Sequence, residues 1–233
     1  MERMKKLIIA HRGVASPARE NTLEAFQKAI DLRADMIEFD VRRTQDGRYV
    51  IHHDPHIAGK PLDAMTFREV REIARSMGFH VPELEEVLAL TRGRIGLDIE
   101  LKEEGYEREI VQLVGGILAA DADFIVSSFH AGCLARVKQC RAAVRTGLIF
   151  NDAAALTTEI LEGDTDWLLP VQSLAAGELL ERMKRAGKKI AVWTVNDTKQ
   201  MKRLLDDDRI EGIITDRTDA AVAVREGQEA PNG

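Results

Sequence analysis

The sequence contains few cysteines, with only Cys133 and Cys140 among its 233 residues. Their spacing matches no zinc-binding pattern, and two cysteines are too few to form a disulfide framework. We therefore expect two reduced thiols near one helix, which is typical of a protein in a reducing compartment.

Long apolar runs are also absent. After Lys5 and Lys6, the apolar segment 7–10 ends at His11, which makes it too short for the core of a signal peptide or for a membrane span. No other segment of the sequence is long enough to cross a bilayer. The sequence therefore predicts a cytoplasmic protein without stable membrane insertion.

The sequence also lacks an excess of positive charge. The sequence has 33 Lys and Arg against 39 Asp and Glu, which gives a formal net charge of −6. This balance argues against nonspecific attraction to nucleic acid or to an anionic membrane. Hydrophobic residues make up 45% of the chain and charged residues 31%, as in a folded protein that buries a sizeable core.

Apolar, partly β-branched runs alternate with segments of helical periodicity. The predicted strands are 7–10, 36–41, 95–101, 124–128, 145–149, 166–171, 189–195 and 211–215. Apolar side chains at helical spacing predict helices over 23–30, 107–119, 131–140, 177–187 and 198–205. This alternation predicts an α/β fold, a TIM (β/α)8 barrel that forms one domain over residues 1–233. A doubly wound open sheet is the alternative, but no Gly-rich dinucleotide fingerprint follows the first strand.

One stretch interrupts the alternation. After strand two, a further strand-like run reaches His53, and Asp46-Gly47 predicts a two-residue hairpin turn. In that register Asp40 faces His53, and His52 points to the other side of the hairpin. Residues 54–82 then form a short insertion, and 82–91 form the next helix. The tail 226–233 has no periodic signal and is expected to fray.

Acidic side chains gather on predicted strands two and three, near the carboxyl ends where barrel enzymes carry their active sites. Alternate residues of a strand share a face, so Glu38 points the same way as Asp40, and Glu100 the same way as Asp98. Carboxylates at close range cannot all stay ionised without a counter-charge. Oxygen-only ligands select a hard divalent cation such as Mg²⁺ or Ca²⁺. We predict Glu38, Asp40 and Glu100 as its ligands, with ion pairing to nearby basic side chains as the alternative.

Two histidines fall at the same predicted end of the barrel. His11 ends strand one, and the hairpin register brings His53 to the face that carries Asp40. An imidazole in such a site can transfer protons near neutral pH. The alternative role for each is that of a hydrogen-bonded structural histidine.

Positive charge and an aromatic side chain complete the predicted site. Arg12 can present a planar fork to a phosphate group, and Lys102 can act as a point charge. Pairing with the neighbouring carboxylates is the competing role for both. Trp193, at the end of strand seven, is predicted to line the pocket, with burial in the core as the alternative.

These motifs, taken in order, resemble those of the glycerophosphodiester phosphodiesterase family. The resemblance runs from residue 7 to about 220 and includes eight motifs: His11-Arg12-Gly13, Glu20-Asn21-Thr22, Glu38-x-Asp40, His53-Asp54, Glu100-x-Lys102, Ser127-Ser128-Phe129, Val192-Trp193-Thr194-Val195-Asn196 and Gly212-Ile213-Ile214-Thr215-Asp216. Each motif is weak alone, and their common order makes the resemblance specific.

The resemblance implies a TIM barrel that hydrolyses glycerophosphodiesters to glycerol 3-phosphate and an alcohol with the help of a divalent cation. It implies two acid/base histidines, two phosphate-binding cations and three metal ligands: His11 and His53, Arg12 and Lys102, and Glu38, Asp40 and Glu100. Glu20 lies in a family motif near the metal, and capping of the following helix is its alternative role. The insertion after Asp54 is shorter than in many members, which leaves the range of alcohols open.

Three other functions compete with this interpretation. An enolase-type lyase or racemase also carries metal-binding acids on successive strands. It is expected to have a capping domain before strand one, for which a first strand predicted at residue 7 leaves no room. A catalytically inactive sugar-phosphate-binding module would lack a histidine or a metal ligand, and none is missing. A lysophospholipid phosphodiesterase would need an apolar rim, for which the insertion offers only Ile57, Leu62, Met65 and Phe67.

The sequence leaves several properties open. These are the metal, the alcohol group, the oligomeric state (a homo-oligomer included) and the attacking group, which is either water or the glycerol 2-hydroxyl.

Overall fold

The structure of the chain, a computed structural model, describes residues 5–14, 18–119 and 121–230. Its strands are β1 (Leu7–His11), β2 (Met36–Arg43), β3 (Tyr49–Ile51), β4 (His56–Ile57), β5 (Lys60–Pro61), β6 (Gly96–Leu101), β7 (Phe124–Ser128), β8 (Arg145–Phe150), β9 (Trp167–Pro170), β10 (Lys189–Val192) and β11 (Gly212–Thr215). Its α-helices are α1 (Leu23–Asp31), α2 (Phe67–Ser76), α3 (Leu84–Thr91), α4 (Glu107–Ile117), α5 (Ala131–Cys140), α6 (Thr158–Glu162), α7 (Gly177–Arg185), α8 (Thr198–Leu205) and α9 (Thr218–Arg225).

Eight parallel strands close into a barrel with helices between them. The sheet runs in the order β1-β11-β10-β9-β8-β7-β6-β2, and β1 also pairs with β2, which closes the ring. The predicted TIM barrel is therefore confirmed, and the open-sheet alternative is wrong because an open sheet would leave β1 or β2 as an edge. The register places His11 beside Glu38, and Asp40 beside Glu100.

Apolar side chains fill the barrel and the layer beneath the helices. The interior of the barrel holds Ile9, Met36, Ile125, Ile149, Trp167, Leu169, Ala191 and Ile214. On the outer side, Phe26 of α1 packs against Phe39 of β2 with ring centroids 5.7 Å apart, and both side chains are fully buried. Truncating a buried Phe to Ala typically costs about 3–5 kcal/mol, so this contact fixes α1 on the barrel.

Helix α1 begins at a specific capping contact. The hydroxyl of Thr22 accepts a hydrogen bond from the N–H of Ala25 at 3.2 Å, which satisfies one of the free amide groups at the start of the helix. Apolar side chains at positions 23, 26 and 30 then follow the helical period and face the barrel. The cap therefore belongs to Thr22, and Glu20 does not fill the capping role that was its alternative.

The hairpin after β2 is present, but its predicted register is wrong by one residue. β3 pairs antiparallel with β2, with Val41 opposite Ile51. The N–H of Thr44 donates to the carbonyl of Arg48, so three residues, 45–47, form the loop. Gly47 adopts φ +78° in that loop. The Asp-Gly pair thus supplies a left-handed glycine to a three-residue turn instead of forming a two-residue turn.

The corrected register changes the partner of Asp40. The N–H of His52, and not that of His53, donates to the carbonyl of Asp40 at 3.0 Å. His53 follows the end of β3, and its carbonyl accepts a hydrogen bond from Arg42 Nε at 2.7 Å. His53 therefore reaches the end of the barrel from the loop after the hairpin.

The insertion after the hairpin has its own small core. It contains β4, β5, α2 and a short 3₁₀ turn over Leu62–Ala64. The four apolar residues considered above for a rim are buried in this cluster: Ile57, Leu62, Met65 and Phe67. They are therefore unavailable as an acyl-chain rim, and these four side chains do not favour a lysophospholipid substrate.

The remaining predictions concern the thiols and the tail. Cys133 and Cys140 both lie on α5 as free thiols, as predicted. Residues 226–230 form no helix or strand, although the N–H of Gln228 donates to the carbonyl of Ala223. Residues 231–233 of the predicted tail lie outside the described residues. Within the described ranges, every helix is too short or too polar to cross a membrane.

Candidate active site

A cavity of about 190 Å³ opens at the carboxyl ends of the barrel strands, and we call it the mouth cavity. It is lined by His11, Arg12, Glu38, His53, Asp98, Glu100, Lys102, Phe129, Ile149, Trp193 and Ile214. The structure thus brings together seven of the nine predicted site residues around one space. The other two, Asp40 and Glu20, lie next to it through ion pairs with Arg12.

A larger groove of about 1050 Å³ opens at the amino ends of β8, β9 and β10. It contains none of the predicted site residues, and an ion pair between Lys138 and Asp166 lies within it. Barrel enzymes use the carboxyl ends of their strands. The mouth cavity is therefore the candidate active site despite its smaller volume.

The loop after β1 shapes one side of the mouth cavity. Arg12 and Asn21 both adopt left-handed backbone conformations, with φ values of 52° and 58°. The N–H of Asn21 donates to the carbonyl of Arg12 at 2.9 Å, which joins the two residues. The N–H of Arg12 in turn donates to Glu38 Oε2 at 2.9 Å. Left-handed backbone in a residue such as Arg costs of order 1–3 kcal/mol and is common at functional sites.

Three carboxylates meet at the floor of the cavity. Glu38, Asp40 and Glu100 each offer an oxygen, and these three atoms lie within 4.8 Å of one another. Glu38 Oε1 and Asp40 Oδ1 are buried without a hydrogen-bond partner, although Lys102 Nζ lies 3.2 Å from Asp40 Oδ1. Buried polar atoms normally have partners. A cluster of unsatisfied carboxylate oxygens therefore fits a divalent cation, whose preferred ligands are oxygens.

Burial and mutual repulsion change the acidity of these groups. Burial, followed by repulsion from Asp40, raises the pKa of Glu38 well above its usual value. The same two causes raise the pKa of Glu100 to about 7, against the attraction of Lys102. Burial opposes ionisation of Asp40 as well, but Lys102 and Arg12 outweigh it and hold the pKa of Asp40 below its usual value. A bound cation would relieve the repulsion among these carboxylates.

Asp98 lies beside the cluster but outside it. Its side chain is fully buried, its Oδ1 accepts a hydrogen bond from Ser127 at 2.6 Å, and its Oδ2 has no hydrogen-bond partner. Burial raises the pKa of Asp98 to about 7 despite the Ser127 hydroxyl. Asp98 therefore adds a further buried acid next to the three candidate ligands.

The two cations bridge the carboxylates. Arg12 Nε lies 3.1 Å from Asp40 Oδ2, and Arg12 Nη1 lies 3.1 Å from Glu20 Oε1. Lys102 Nζ donates to Glu100 Oε1 at 2.6 Å. The pairing expected as the competing role is thus present, while both side chains still line the mouth cavity. Glu20 touches Arg12 and does not belong to the three-carboxylate cluster.

Each histidine in the cavity is held by a carboxylate. His11 Nδ1 lies 2.6 Å from Asp216 Oδ1, and His11 Nε2 lies 3.9 Å from Glu38 Oε2. His53 Nδ1 lies 2.8 Å from Asp54 Oδ1. An ionised carboxylate only accepts hydrogen bonds, so each Nδ1 carries the proton that it shares. The Nε2 atom of each ring is then the one that can exchange a proton with a substrate.

Two residues that hold His11 in place were not predicted as site residues. Asp216 Oδ2 accepts a hydrogen bond from Asn196 Nδ2 at 2.6 Å, and Asn196 Oδ1 accepts one from the N–H of Asp216 at 3.0 Å. The available signal was that Asp216 directly follows the last barrel strand, which pairs with β1. Residues just after two paired parallel strands lie close together, so Asp216 could have been expected near His11.

An aromatic wall faces the charged groups. Phe129 and Trp193 meet edge to face with ring centroids 5.7 Å apart, and the indole N–H of Trp193 donates to the carbonyl of Leu169 at 2.7 Å. Phe129 is 41% exposed, which is unusual for a large apolar residue of this chain. The cavity therefore has one apolar side and one strongly polar side.

Proteins of known sequence and structure resemble this chain over nearly its whole length. The sequence profile of the "Glycerophosphoryl diester phosphodiesterase family" matches residues 11–220. The chain is 30% identical over 244 residues to a glycerophosphodiester phosphodiesterase of Caldanaerobacter subterraneus subsp. tengcongensis, covering 96% of this chain and 100% of that relative.

Solved structures have the same fold. A phosphodiesterase of Oleispira antarctica, solved in complex with the product sn-glycerol-3-phosphate, superposes with a TM-score of 0.85 at 23% identity, covering 94% of this chain and 96% of that one. A glycerophosphodiester phosphodiesterase of Thermotoga maritima gives a TM-score of 0.74 at 26% identity, covering 91% of this chain and 95% of that one.

Proposed function

This chain belongs to the glycerophosphoryl diester phosphodiesterase family, and on that premise we propose that it hydrolyses glycerophosphodiesters to glycerol 3-phosphate and an alcohol with one divalent cation and two histidines. The observation that carries the proposal is the set of buried, unsatisfied carboxylate oxygens beneath two carboxylate-held histidines. The product complex of the Oleispira antarctica phosphodiesterase, which has the same fold, supports the choice of product.

In this proposal Glu38, Asp40 and Glu100 hold the cation. Their close oxygens and the raised pKa values of Glu38 and Glu100 support that role, because a positive ion is the partner that such a cluster lacks. When bound, a divalent cation such as Mg²⁺ or Ca²⁺ supplies Lewis-acid stabilisation of negative oxygen. Oxygen ligands alone fit either ion.

His11 and His53 transfer the protons. One Nε2 takes the proton from the attacking oxygen, either water or the glycerol 2-hydroxyl, and the other Nε2 gives a proton to the departing alcohol oxygen. Attack by water gives glycerol 3-phosphate directly, whereas attack by the 2-hydroxyl gives a cyclic phosphate, which a water molecule then opens to glycerol 3-phosphate with the two histidines in exchanged roles. The phosphorus–oxygen bond to the alcohol breaks as the bond to the attacking oxygen forms. Asp216 and Asp54 keep the two rings in the tautomer that leaves Nε2 facing the reaction.

Arg12 and Lys102 stabilise the negative charge that gathers on the phosphoryl oxygens. Both side chains line the cavity, and both are already oriented by carboxylates, so they need little rearrangement when substrate binds. Trp193 and Phe129 contact the apolar face of the substrate. A small glycerophosphodiester is thus the expected partner, and nucleic acid is not.

The wider setting follows from the same proposal. One barrel domain spans the chain, and the enzyme serves lipid and glycerol metabolism in the cytoplasm, because glycerophosphodiesters are what remains when glycerophospholipids lose their acyl chains.

Release of glycerol 3-phosphate tests the proposed function. Purified protein is incubated with glycerophosphocholine, glycerophosphoethanolamine and glycerophosphoglycerol, with EDTA and then with Mg²⁺ or Ca²⁺ restored. We expect release from at least one substrate, its loss in EDTA and its recovery with one of the ions. Absence of release from every substrate would contradict the reaction, and full release in EDTA would contradict the cation.

A further inference from the structure

Asn21 is a buried residue that touches a candidate metal ligand without being one itself. Asn21 belongs to the loop after β1 and is only 4% exposed. Asn21 Nδ2 donates to Asp40 Oδ2 at 2.8 Å, and Asn21 Oδ1 lies 3.5 Å from the N–H of Asp40, which donates to it. Both polar ends of the amide are therefore directed at the same residue.

This contact distinguishes the two oxygens of Asp40. Oδ2 accepts the hydrogen bond from Asn21 and lies 3.1 Å from Arg12 Nε. Oδ1 is the oxygen that Asn21 leaves free, and among the described residues only the ion pair with Lys102 Nζ at 3.2 Å reaches it. The terminal torsion of an Asp side chain is soft, so a carboxylate without a fixed partner turns easily. Arg12 and Lys102 hold the carboxylate through ion pairs, and the amide of Asn21 adds the shortest of these contacts and so restrains the rotation further.

The backbone of Asn21 explains why this residue type stands here. Its φ of 58° lies in the left-handed region, which Gly and Asn adopt most readily among the residue types. A glycine would accept the backbone but has no amide to donate. An aspartate would accept the backbone but would place a second carboxylate against Asp40. Asn combines the required backbone with the required donor.

We propose that Asn21 is a positioning residue that orients the carboxylate of Asp40 toward a divalent cation. The proposal rests on the cation of the proposed function, and it assigns to Asn21 no contact with substrate or cation. Removal of a side chain that is hydrogen-bonded to a metal ligand typically weakens metal binding about 10–100-fold. The predicted effect is therefore on the binding constant of the ion.

Calorimetric titration of Mg²⁺ and Ca²⁺ into EDTA-treated, dialysed protein measures that constant. Asn21→Gly keeps the backbone conformation and removes the amide, and Asn21→Asp keeps the shape and removes the donor. Arg33→Gly is the matched control, because exposed Arg33 also has a left-handed backbone, with φ 59°, and has no contact with the three-carboxylate cluster. We expect both Asn21 variants to bind the ion about 10–100-fold more weakly and the control to bind it like the wild type.

Two further measurements separate positioning from general stability. The melting temperature in EDTA is expected to fall modestly in Asn21→Gly, because a hydrogen bond to a buried carboxylate is lost, and added ion is expected to raise it less than in the wild type. Activity of Asn21→Gly is expected to rise with ion concentration beyond the range that saturates the wild type, with the substrate KM little changed.

The outcomes distinguish the two proposals. Wild-type ion affinity in both Asn21 variants would overturn the positioning role and leave the cation assignment intact. Absence of ion binding by the wild-type protein would overturn both. Failure of both Asn21 variants to fold, with a folded Arg33→Gly control, would assign Asn21 to the fold alone and overturn the positioning role.

Discussion

Nδ1 of His11 lies 2.6 Å from Oδ1 of Asp216, and that carboxylate is itself held by Asn196. Burial opposes ionisation of Asp216, but the hydrogen bonds from His11 and Asn196 outweigh it and keep the pKa of Asp216 below its usual value. Asp216 is therefore ionised at neutral pH and accepts the Nδ1 proton of His11. This contact occupies Nδ1 and leaves Nε2 as the available nitrogen of a ring that lines the mouth cavity.

Asp216→Asn is expected to lower kcat by about 100-fold or more, because an amide in place of the carboxylate no longer fixes the Nδ1–H tautomer of His11. KM should change little, since Asp216 does not line the mouth cavity. Steady-state kinetics across pH 5–9 checks this. Asp219→Asn, at an exposed position in the otherwise buried first turn of α9, is the control, and equal kcat in the two variants would contradict the role of Asp216.

Replacing either histidine by Ala is expected to lower the turnover of glycerophosphodiesters at least about 100-fold. A p-nitrophenyl diester of glycerol 3-phosphate separates the two roles, because its leaving group departs without protonation. The variant that lacks the general acid should recover activity on this substrate, and the variant that lacks the base should not. Equal behaviour of His11→Ala and His53→Ala on both substrates would rule out a division of roles.

The metal-free protein is expected to lose stability as pH rises from 5 to 8. Burial raises the pKa values of Asp98 and Glu100 to about 7 in the folded state, whereas in the unfolded chain these groups ionise near their ordinary values. The stabilising effect of their protonated forms is thus complete below about pH 4 and is lost as pH rises through 7. Asp40, with its lowered pKa, stays ionised across this window and adds no slope.

Urea unfolding in EDTA at pH 5 and pH 8, repeated with saturating Mg²⁺ or Ca²⁺, measures this effect. Each unit of pKa shift corresponds to about 1.4 kcal/mol, so the free energy of unfolding should fall measurably between the two pH values. The added ion should stabilise the protein more at pH 8. A free energy of unfolding that is flat or rises with pH in EDTA would contradict the prediction.

Gly13→Ala is expected to destabilise the protein by about 1–3 kcal/mol. Gly13 has φ +81°, and a Cβ there would lie 2.8 Å from the carbonyl carbon of Ala25 in α1. Gly47→Ala is a matched control, because Gly47 has φ +78° but open space around its Cβ position. Thermal unfolding of both variants isolates the destabilisation that comes from the steric clash with Ala25. An equal loss in the two would show that only the backbone conformation matters.

Phe129→Ala is expected to raise KM about 5–10-fold with a smaller effect on kcat, because it removes roughly 1 kcal/mol of apolar contact made in both ground and transition states. Met77→Ala provides the comparison, since Met77 is also exposed, at 52%, but lies outside the mouth cavity. Steady-state kinetics with glycerophosphocholine checks it. An unchanged KM in Phe129→Ala would remove Phe129 from the substrate contacts.

The barrel could be predicted because its signals are local. Each strand is a short apolar run, and helices such as α5 and α8 have the predicted bounds, since burial of one face imposes a regular period. The sequence signals for α6 and α9 were too weak to detect. Helix α6 covers only Thr158–Glu162, and α9 is rich in alanine, so neither shows a clear amphipathic period.

The candidate site could be predicted only where its residues follow the alternation of side chains between the two faces of a strand. Alternation along β2 and β6 brings Glu38, Asp40 and Glu100 together, because parallel neighbours share a register. The hairpin was wrong by one residue because turn length depends on local hydrogen bonds, here those of Thr44 with Asp46 and Arg48. The contact between His11 and Asp216 joins residues 205 positions apart, and only closure of the barrel reveals it.

The insertion between the hairpin and α3 packs its apolar side chains on one another and on Val50, in a cluster separate from those of the barrel. It is also joined to the hairpin loop, because the N–H of Gln45 donates to the carbonyl of Met65 at 2.8 Å and the N–H of Phe67 donates to Asp46 Oδ1 at 3.0 Å. Exchange of residues 55–80 for a longer segment that keeps Asp54 and these hairpin contacts would therefore change the surroundings of His53, while the three barrel clusters keep all their side chains. Variation in this segment therefore alters the surroundings of one side of the mouth cavity without altering the three-carboxylate cluster.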